Sequence, residues 1–191
     1  SFIYVDTGAM YRAMALYLLE QKAGEQEEIA SACHGADISI CYEKGEQHVI
    51  LNGKDVTPYL RTEEAGNMAS VCSANGEVRK HLLKLQRNLA KENNVVMDGR
   101  DIGTTILPEA EVKIFLTASP ETRARRRFLE LQQKGAEDEY DHILKDIIER
   151  DERDMNRTVS PLKQADDAVL VDSSELGIDE VVDRILSICK E

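Results

Sequence analysis

A short apolar run, Val95-Val96-Met97, empties into Asp98-Gly99-Arg100-Asp101, which sets two carboxylates and a guanidinium within four positions. In an open parallel sheet, ligands bind outside the carboxyl ends of the strands. An acid there can hold Mg²⁺ and an arginine can grip phosphate with two parallel hydrogen bonds, so this spacing suits chemistry on phosphate esters. Asp and Gly are also common turn residues, and the same run reads as a polar turn closing a core strand. A second set follows Phe2-Ile3-Tyr4-Val5. There Asp6-Thr7-Gly8 leads into a helical stretch whose Arg12 sits about one turn in, within reach of an anion near the strand ends. Arg123, Arg125, Arg126 and Arg127 fall within five positions, and Arg150, Arg153 and Arg157 form another group. Arginines gathered in this way in an acidic chain fit a pocket for a small polyanion such as a nucleotide. A solvated helix face paired with nearby Glu and Asp gives the same pattern.

Such residues need rigid elements behind them, and the chain supplies strands and helices in alternation. Phe2–Val5, Val95–Met97, Val112–Leu116 and Ala168–Val171 are β-rich runs, each closing near a polar residue. Between them, Ala9 to Lys22 carries a helical stripe through Met10, Ala13, Met14, Tyr17 and Leu18 that Gly24 ends. Glu77 to Lys91 repeats it through Val78, Leu82, Leu85 and Leu89, and Ser119-Pro120-Glu121 opens a further helix with a cap, a first-turn proline and an early acid. A last helix is expected from about Ile178 to Cys189. Alternation at these lengths predicts an α/β fold, a three-layer parallel sheet flanked by helices. One region differs. From Asp37 to Tyr59 the period is two residues around two glycine turns, which predicts a small antiparallel β insertion between the helical stretches at Ala9 to His34 and Thr62 to Cys72. No internal repeat interrupts the chain, so residues 1–191 are expected to form a single domain.

The net charge of −12 argues against a general nucleic-acid surface, which would carry a basic footprint. No apolar run approaches a membrane span and the first residues lack a basic n-region, so a cytoplasmic location is expected, with no membrane partner. Cys33, Cys41, Cys72 and Cys189 lie far apart with no C-x-x-C pair, which fits reduced thiols better than a zinc site or a disulfide framework.

Three runs in order, Asp6-Thr7-Gly8-Ala9-Met10-Tyr11-Arg12, Asp98-Gly99-Arg100-Asp101-Ile102-Gly103-Thr104 and Glu149-Arg150-Asp151-Glu152-Arg153-Asp154-Met155-Asn156-Arg157, together resemble bacterial cytidylate kinase. The β insertion between the first two fits that family's nucleoside-monophosphate-binding region. The resemblance covers nearly the whole chain and implies a P-loop kinase-like fold with a lid at about 123–157. One departure stands out: no Gly-x-x-x-x-Gly-Lys-Ser/Thr loop occurs, and the chain starts where the family's second strand should begin. The resemblance therefore implies a longer parent carrying that strand and loop, with the chain as given inactive without them.

The resemblance further implies transfer of the γ-phosphate of ATP to CMP, and to dCMP as a second acceptor, with Mg²⁺ as cofactor and a monomeric enzyme. Arg12, Arg100 and Arg157 would bind the acceptor phosphate, with Thr7 and Tyr11 beside them. Ser70, Arg79 and Asp101 occupy the family positions for cytosine, whose exocyclic amine needs an acceptor and whose N3 and O2 need donors. Asp154 would accept from ribose hydroxyls. Asp98 would stand in the Mg²⁺ shell through water. Among the later arginines, Arg127 and Arg150 are the expected donor-phosphate ligands, while Arg123, Arg126 and Arg153 share the lid region. Arg100, Arg157, Arg127 and Arg150 would thus carry the catalytic charge, with alignment and charge dispersal in place of a general base. Two other readings remain open at this point: a P-loop kinase for UMP, AMP or shikimate, and a non-catalytic nucleotide-binding module.

Overall fold

The computed structural model describes residues 2–136 and 138–190, which divide into two compact units. The first comprises Ser1–Ile102 with Arg157–Ser160, the second Gly103–Asn156 with Pro161–Glu191.

In the first unit, strand β1 (Phe2–Asp6) pairs in parallel with β5 (Asn94–Asp98), in a register running from Phe2 opposite Asn94 to Asp6 opposite Asp98. Parallel pairing brings both carboxyl ends to one side, so the two aspartates finish next to each other. Helix α1 (Thr7–Glu20) starts at once, because Asp6 caps it by accepting from the Ala9 N–H at 3.0 Å. The expected stripe is the buried face: Met10, Ala13, Met14 and Leu18 are fully enclosed. The helical stretch stops where Lys22 turns left-handed ahead of Gly24. A short α2 (Gln26–Ala32) then begins, with the Glu28 carboxylate accepting from the Gly24 and Glu25 N–H groups.

The insertion is the three-stranded antiparallel sheet its alternation predicts: β2 (Ile38–Glu43), β3 (Glu46–Leu51) and β4 (Lys54–Asp55). Its two turns, Lys44-Gly45 and Asn52-Gly53, hold positive φ at both central residues, the geometry whose twist matches that of paired strands. Helix α3 (Glu63–Cys72) packs on α1, and α4 (Gly76–Glu92), capped by Asn75, buries Val78, Arg79, Leu82 and Gln86.

The second unit has its own parallel pair, β6 (Ile114–Thr117) with β7 (Val169–Asp172). Helix α5 (Pro120–Gln133) opens on the predicted Ser119 cap and packs against α6 (Tyr140–Asn156), and α7 (Ile178–Ile188) closes the chain. The parallel strands therefore ladder two by two, flanked by helices and accompanied by a small antiparallel sheet, in the expected α/β class. Between β5 and β6 the chain makes one wide π-helical turn, Ile102–Ile106, which periodicity did not announce. Among the described residues no helix is long and apolar enough to cross a membrane.

Candidate active site

The strand-end turn is a built structure and more than a polar stop. Thr7, buried at the start of α1, donates its hydroxyl to the Asp98 carbonyl at 2.7 Å, which ties the end of β5 to the first turn of the helix. That tie requires a residue without a side chain at Gly99, where a Cβ would lie 2.4 Å from Thr7 Oγ1 and 2.8 Å from Ile102 Cδ1. The Asp98 carboxylate accepts from Tyr4 Oη at 3.2 Å. Burial first, and then the charge of Asp6, push the Asp98 carboxyl above its ordinary range. Burial followed by the two aspartates drives the Tyr4 phenol up to about 12. Arg12 folds back along α1 so that its Nη1 would stand 3.2 Å from a Cβ on Gly8. The guanidinium thus covers the helix N-terminus, where the backbone already favours anions. Arg100 occupies the exposed part of the turn.

Behind that turn lies a buried set of charges. Asp101 Oδ2 accepts from Arg79 Nη2, Arg157 Nη2 stands 3.9 Å from Asp101 Oδ1, and all three side chains are less than a tenth exposed. Arg79 is held further by donation from Nη1 to the Ser73 carbonyl at 3.0 Å, and by the Tyr11 ring, whose centroid is 5.6 Å from the guanidinium carbon. Burial raises the Tyr11 phenol to about 12, so it stays neutral. Arg157 donates from Nε to the Ser160 carbonyl at 2.6 Å. Two guanidiniums face one carboxylate in a place where water screens them poorly, an arrangement that suits an anionic or strongly polar ligand. On α3, Ser70 is buried and its Oγ has no hydrogen-bond partner among the described residues, a cost that a ligand group could relieve.

In the second unit the arginine cluster separates into anchored and surface members. Arg123 forks onto the Asp151 carboxylate at 3.0 and 2.5 Å and donates to the Ala118 carbonyl, so it fastens α5 to α6. Arg126 donates to Ser173 Oγ, to the Ser173 carbonyl at 2.6 Å and to the Leu176 carbonyl, which fixes the chain after β7. Arg127 is exposed and pairs with Glu130 one turn on, at 3.0 Å. Arg150 is half-buried on α6, Arg153 is exposed, and Asp154 is buried, its carbonyl accepting from the Leu162 N–H at 2.8 Å. Spacing alone could not make this division, since positions 123 to 127 go more than once round a helix.

The family model for cytidylate kinase matches residues 1–191. The chain belongs to the cytidylate kinase family. Curated relatives agree: it is 48% identical over 189 residues to the cytidylate kinase of Caldicellulosiruptor saccharolyticus, covering 98% of this chain and 84% of that relative. The cytidylate kinase of Carboxydothermus hydrogenoformans is 48% identical over 190 residues (98% and 86%), and that of Bacillus subtilis 45% identical over 188 (97% and 84%).

For a cytidylate kinase family member, a divalent cation would fit at the strand ends. Asp98 and Asp6 are register partners at the strand ends, and burial followed by the charge of Asp6 raises the Asp98 carboxyl, so a cation between them would find a carboxylate that gains from the added positive charge. No group of three or more His, Cys, Asp or Glu poised to hold a metal occurs among the described residues.

Two contacts at this site escaped the sequence reading. Tyr42 Oη donates to the Tyr4 carbonyl at 2.9 Å, and Gln47 meets both backbone groups of Asp6. The Lys44-Gly45 turn was a readable signal that these two residues face each other across the hairpin. Nothing in the pattern told which strand edge they would reach.

Proposed function

We propose that this member of the cytidylate kinase family transfers the γ-phosphate of ATP to CMP, giving CDP and ADP, with dCMP as a second acceptor. The buried Arg79–Asp101–Arg157 set, with Tyr11 under Arg79, carries the reading, and the buried Ser70 hydroxyl on α3, without a partner among the described residues, is consistent with it. Asp101 accepts from the cytosine amine, while Arg79 and Ser70 supply donors to the ring acceptors. This set favours cytosine over shikimate, and over UMP, which lacks the exocyclic amine.

Arg12, Arg100 and Arg157 grip the acceptor phosphate, with Thr7 holding the strand-end turn in place for them. Asp154 accepts from the ribose hydroxyls. On the donor side, Arg127 and Arg150 meet the ATP phosphates, with Arg127 leaving its exposed pair with Glu130 at little cost. Asp98 would hold Mg²⁺ through water; when bound, that ion neutralises charge on the moving phosphoryl group. Phosphoryl transfer through a loose transition state needs alignment and cations more than a base, which accords with a site rich in arginine. A single domain, a monomer and a cytoplasmic location complete the proposal.

A binding and activity panel tests it. Calorimetry should show CMP binding, and binding of CMP tighter than of UMP, AMP or shikimate; Arg100→Ala should weaken CMP at least tenfold while leaving cytidine, which has no phosphate, within twofold. Equal loss for cytidine and CMP would remove Arg100 from the phosphate. Failure of CMP to bind at all would overturn the acceptor assignment.

A further inference from the structure

Among the described residues the outer edge of β1 has no strand paired to it, yet backbone groups of Tyr4 and Asp6 there are met by side chains of the insertion. In a strand, the N–H and C=O of one residue point to the same edge, and residues i and i+2 share it. Tyr4 and Asp6 alternate with Ile3 and Val5 along β1, so they share one edge, and their bonds to the insertion show that it is the edge turned away from β5. The Asp6 N–H donates to Gln47 Oε1 at 2.9 Å, Gln47 Nε2 donates to the Asp6 carbonyl at 3.1 Å, and Tyr42 Oη donates to the Tyr4 carbonyl at 2.9 Å. Tyr42 and Gln47 are direct partners across the β2–β3 hairpin, so one cross-strand pair meets two successive outward positions. The Gln47 amide imitates the donor and acceptor that a neighbouring strand would offer.

From this we infer that Gln47 is a positioning residue for the acceptor nucleotide, acting through Asp6. Asp6 is at once the last residue of β1, the register partner of Asp98 and the cap of α1, whose first turns bear Thr7, Tyr11 and Arg12. A shift of the hairpin therefore reaches the phosphate-binding end of α1 through two hydrogen bonds to one residue, and the insertion and the strand end move together. Tyr42 steadies the latch one outward position back, at the Tyr4 carbonyl. The inference rests on the proposal that α1 and Arg12 serve CMP.

The test compares wild type with Gln47→Leu, which keeps the bulk and removes both bonds, and with Gln47→Glu, which keeps an acceptor for the Asp6 N–H but faces the Asp6 carbonyl with a second acceptor. CMP affinity is measured by calorimetry well below the melting temperature, and exchange of the Asp6 amide by NMR. Gln47→Leu should weaken CMP about tenfold and speed Asp6 exchange at least tenfold; Gln47→Glu should weaken CMP similarly while exchange stays nearer wild type. A purely structural residue would lower the melting temperature and leave the CMP affinity of the folded protein unchanged, and that result overturns the inference. If wild type itself fails to bind CMP, the acceptor assignment falls and the inference with it; if wild type binds and Gln47→Leu binds equally, the latch alone falls.

Discussion

Replacing Asp101 by Asn keeps the shape of the side chain and removes the charge that Arg79 and Arg157 both face. All three side chains are more than nine-tenths buried, at 8%, 6% and 5% exposure for Arg79, Asp101 and Arg157, so solvent cannot take over the role of the carboxylate. Breaking a buried pair by removing one partner costs about 3–5 kcal/mol, because a desolvated cation is left behind. At about 2–4 °C per kcal/mol for a chain of this length, the melting temperature should fall by about 6–20 °C. The variant should respond more strongly than wild type to added inorganic phosphate, since an anion beside the two guanidiniums restores part of the missing negative charge. Differential scanning calorimetry with and without phosphate, followed by CMP titration of the folded fraction, makes the measurement. A fall below 2 °C, or a phosphate response no larger than that of wild type, would refute the idea that the carboxylate holds two buried cations together.

Two further outcomes are expected. Gly99→Ala should cost about 2–4 kcal/mol in urea unfolding, from overpacking against Thr7 Oγ1 and loss of its bond to the Asp98 carbonyl; the Thr7→Ala/Gly99→Ala double variant should lose less than the sum of the singles, and strict additivity would contradict the clash. At the hairpin end, His48 Nδ1 lies 2.9 Å from Asp55 Oδ2; the bond raises His48 above 6.5, and bonds to Thr57 and His48 lower Asp55 from 3.8 to about 2. A raised histidine stabilises below its unfolded value and loses this as pH climbs through the folded one, whereas the lowered Asp55 contributes above 3.8 and loses this as pH falls toward 2. The clasp should be strongest between about pH 4 and 6.5, so the stability difference between wild type and His48→Gln should shrink above that window, and a difference constant to pH 8 would count against it.

The strand-end part of the candidate site was legible in the sequence because its residues sit at strand ends and helix starts, where periodicity changes. Asp6 and Asp98 close apolar strands, Arg12 lies one turn into a striped helix, and the Asn52-Gly53 turn marks the insertion by backbone chemistry alone. Ser70 and Arg79 had no such mark; a small residue and a charge on helices look alike whether they line a pocket or face water. Only tertiary packing shows that Arg79 is buried between Tyr11 and Asp101. The arginines at 123 and 126 show the opposite failure, since their partners Asp151 and Ser173 are distant in the chain and no local pattern says that they are occupied. The π-helical turn at Ile102–Ile106 was hidden for a similar reason, since a one-residue widening leaves no period to detect.

The first unit is discontinuous: Arg157–Ser160 return to it only after residues 103–156 have built much of the second. During synthesis from the amino terminus, Arg79 and Asp101 leave the ribosome long before Arg157 does. A nascent chain ending near Ile106 therefore has its strand-end turn and two of the three members of the charge set but lacks the second guanidinium. Completion of the buried charge set becomes a late checkpoint of biogenesis, open only to a polypeptide that has already been elongated through α6.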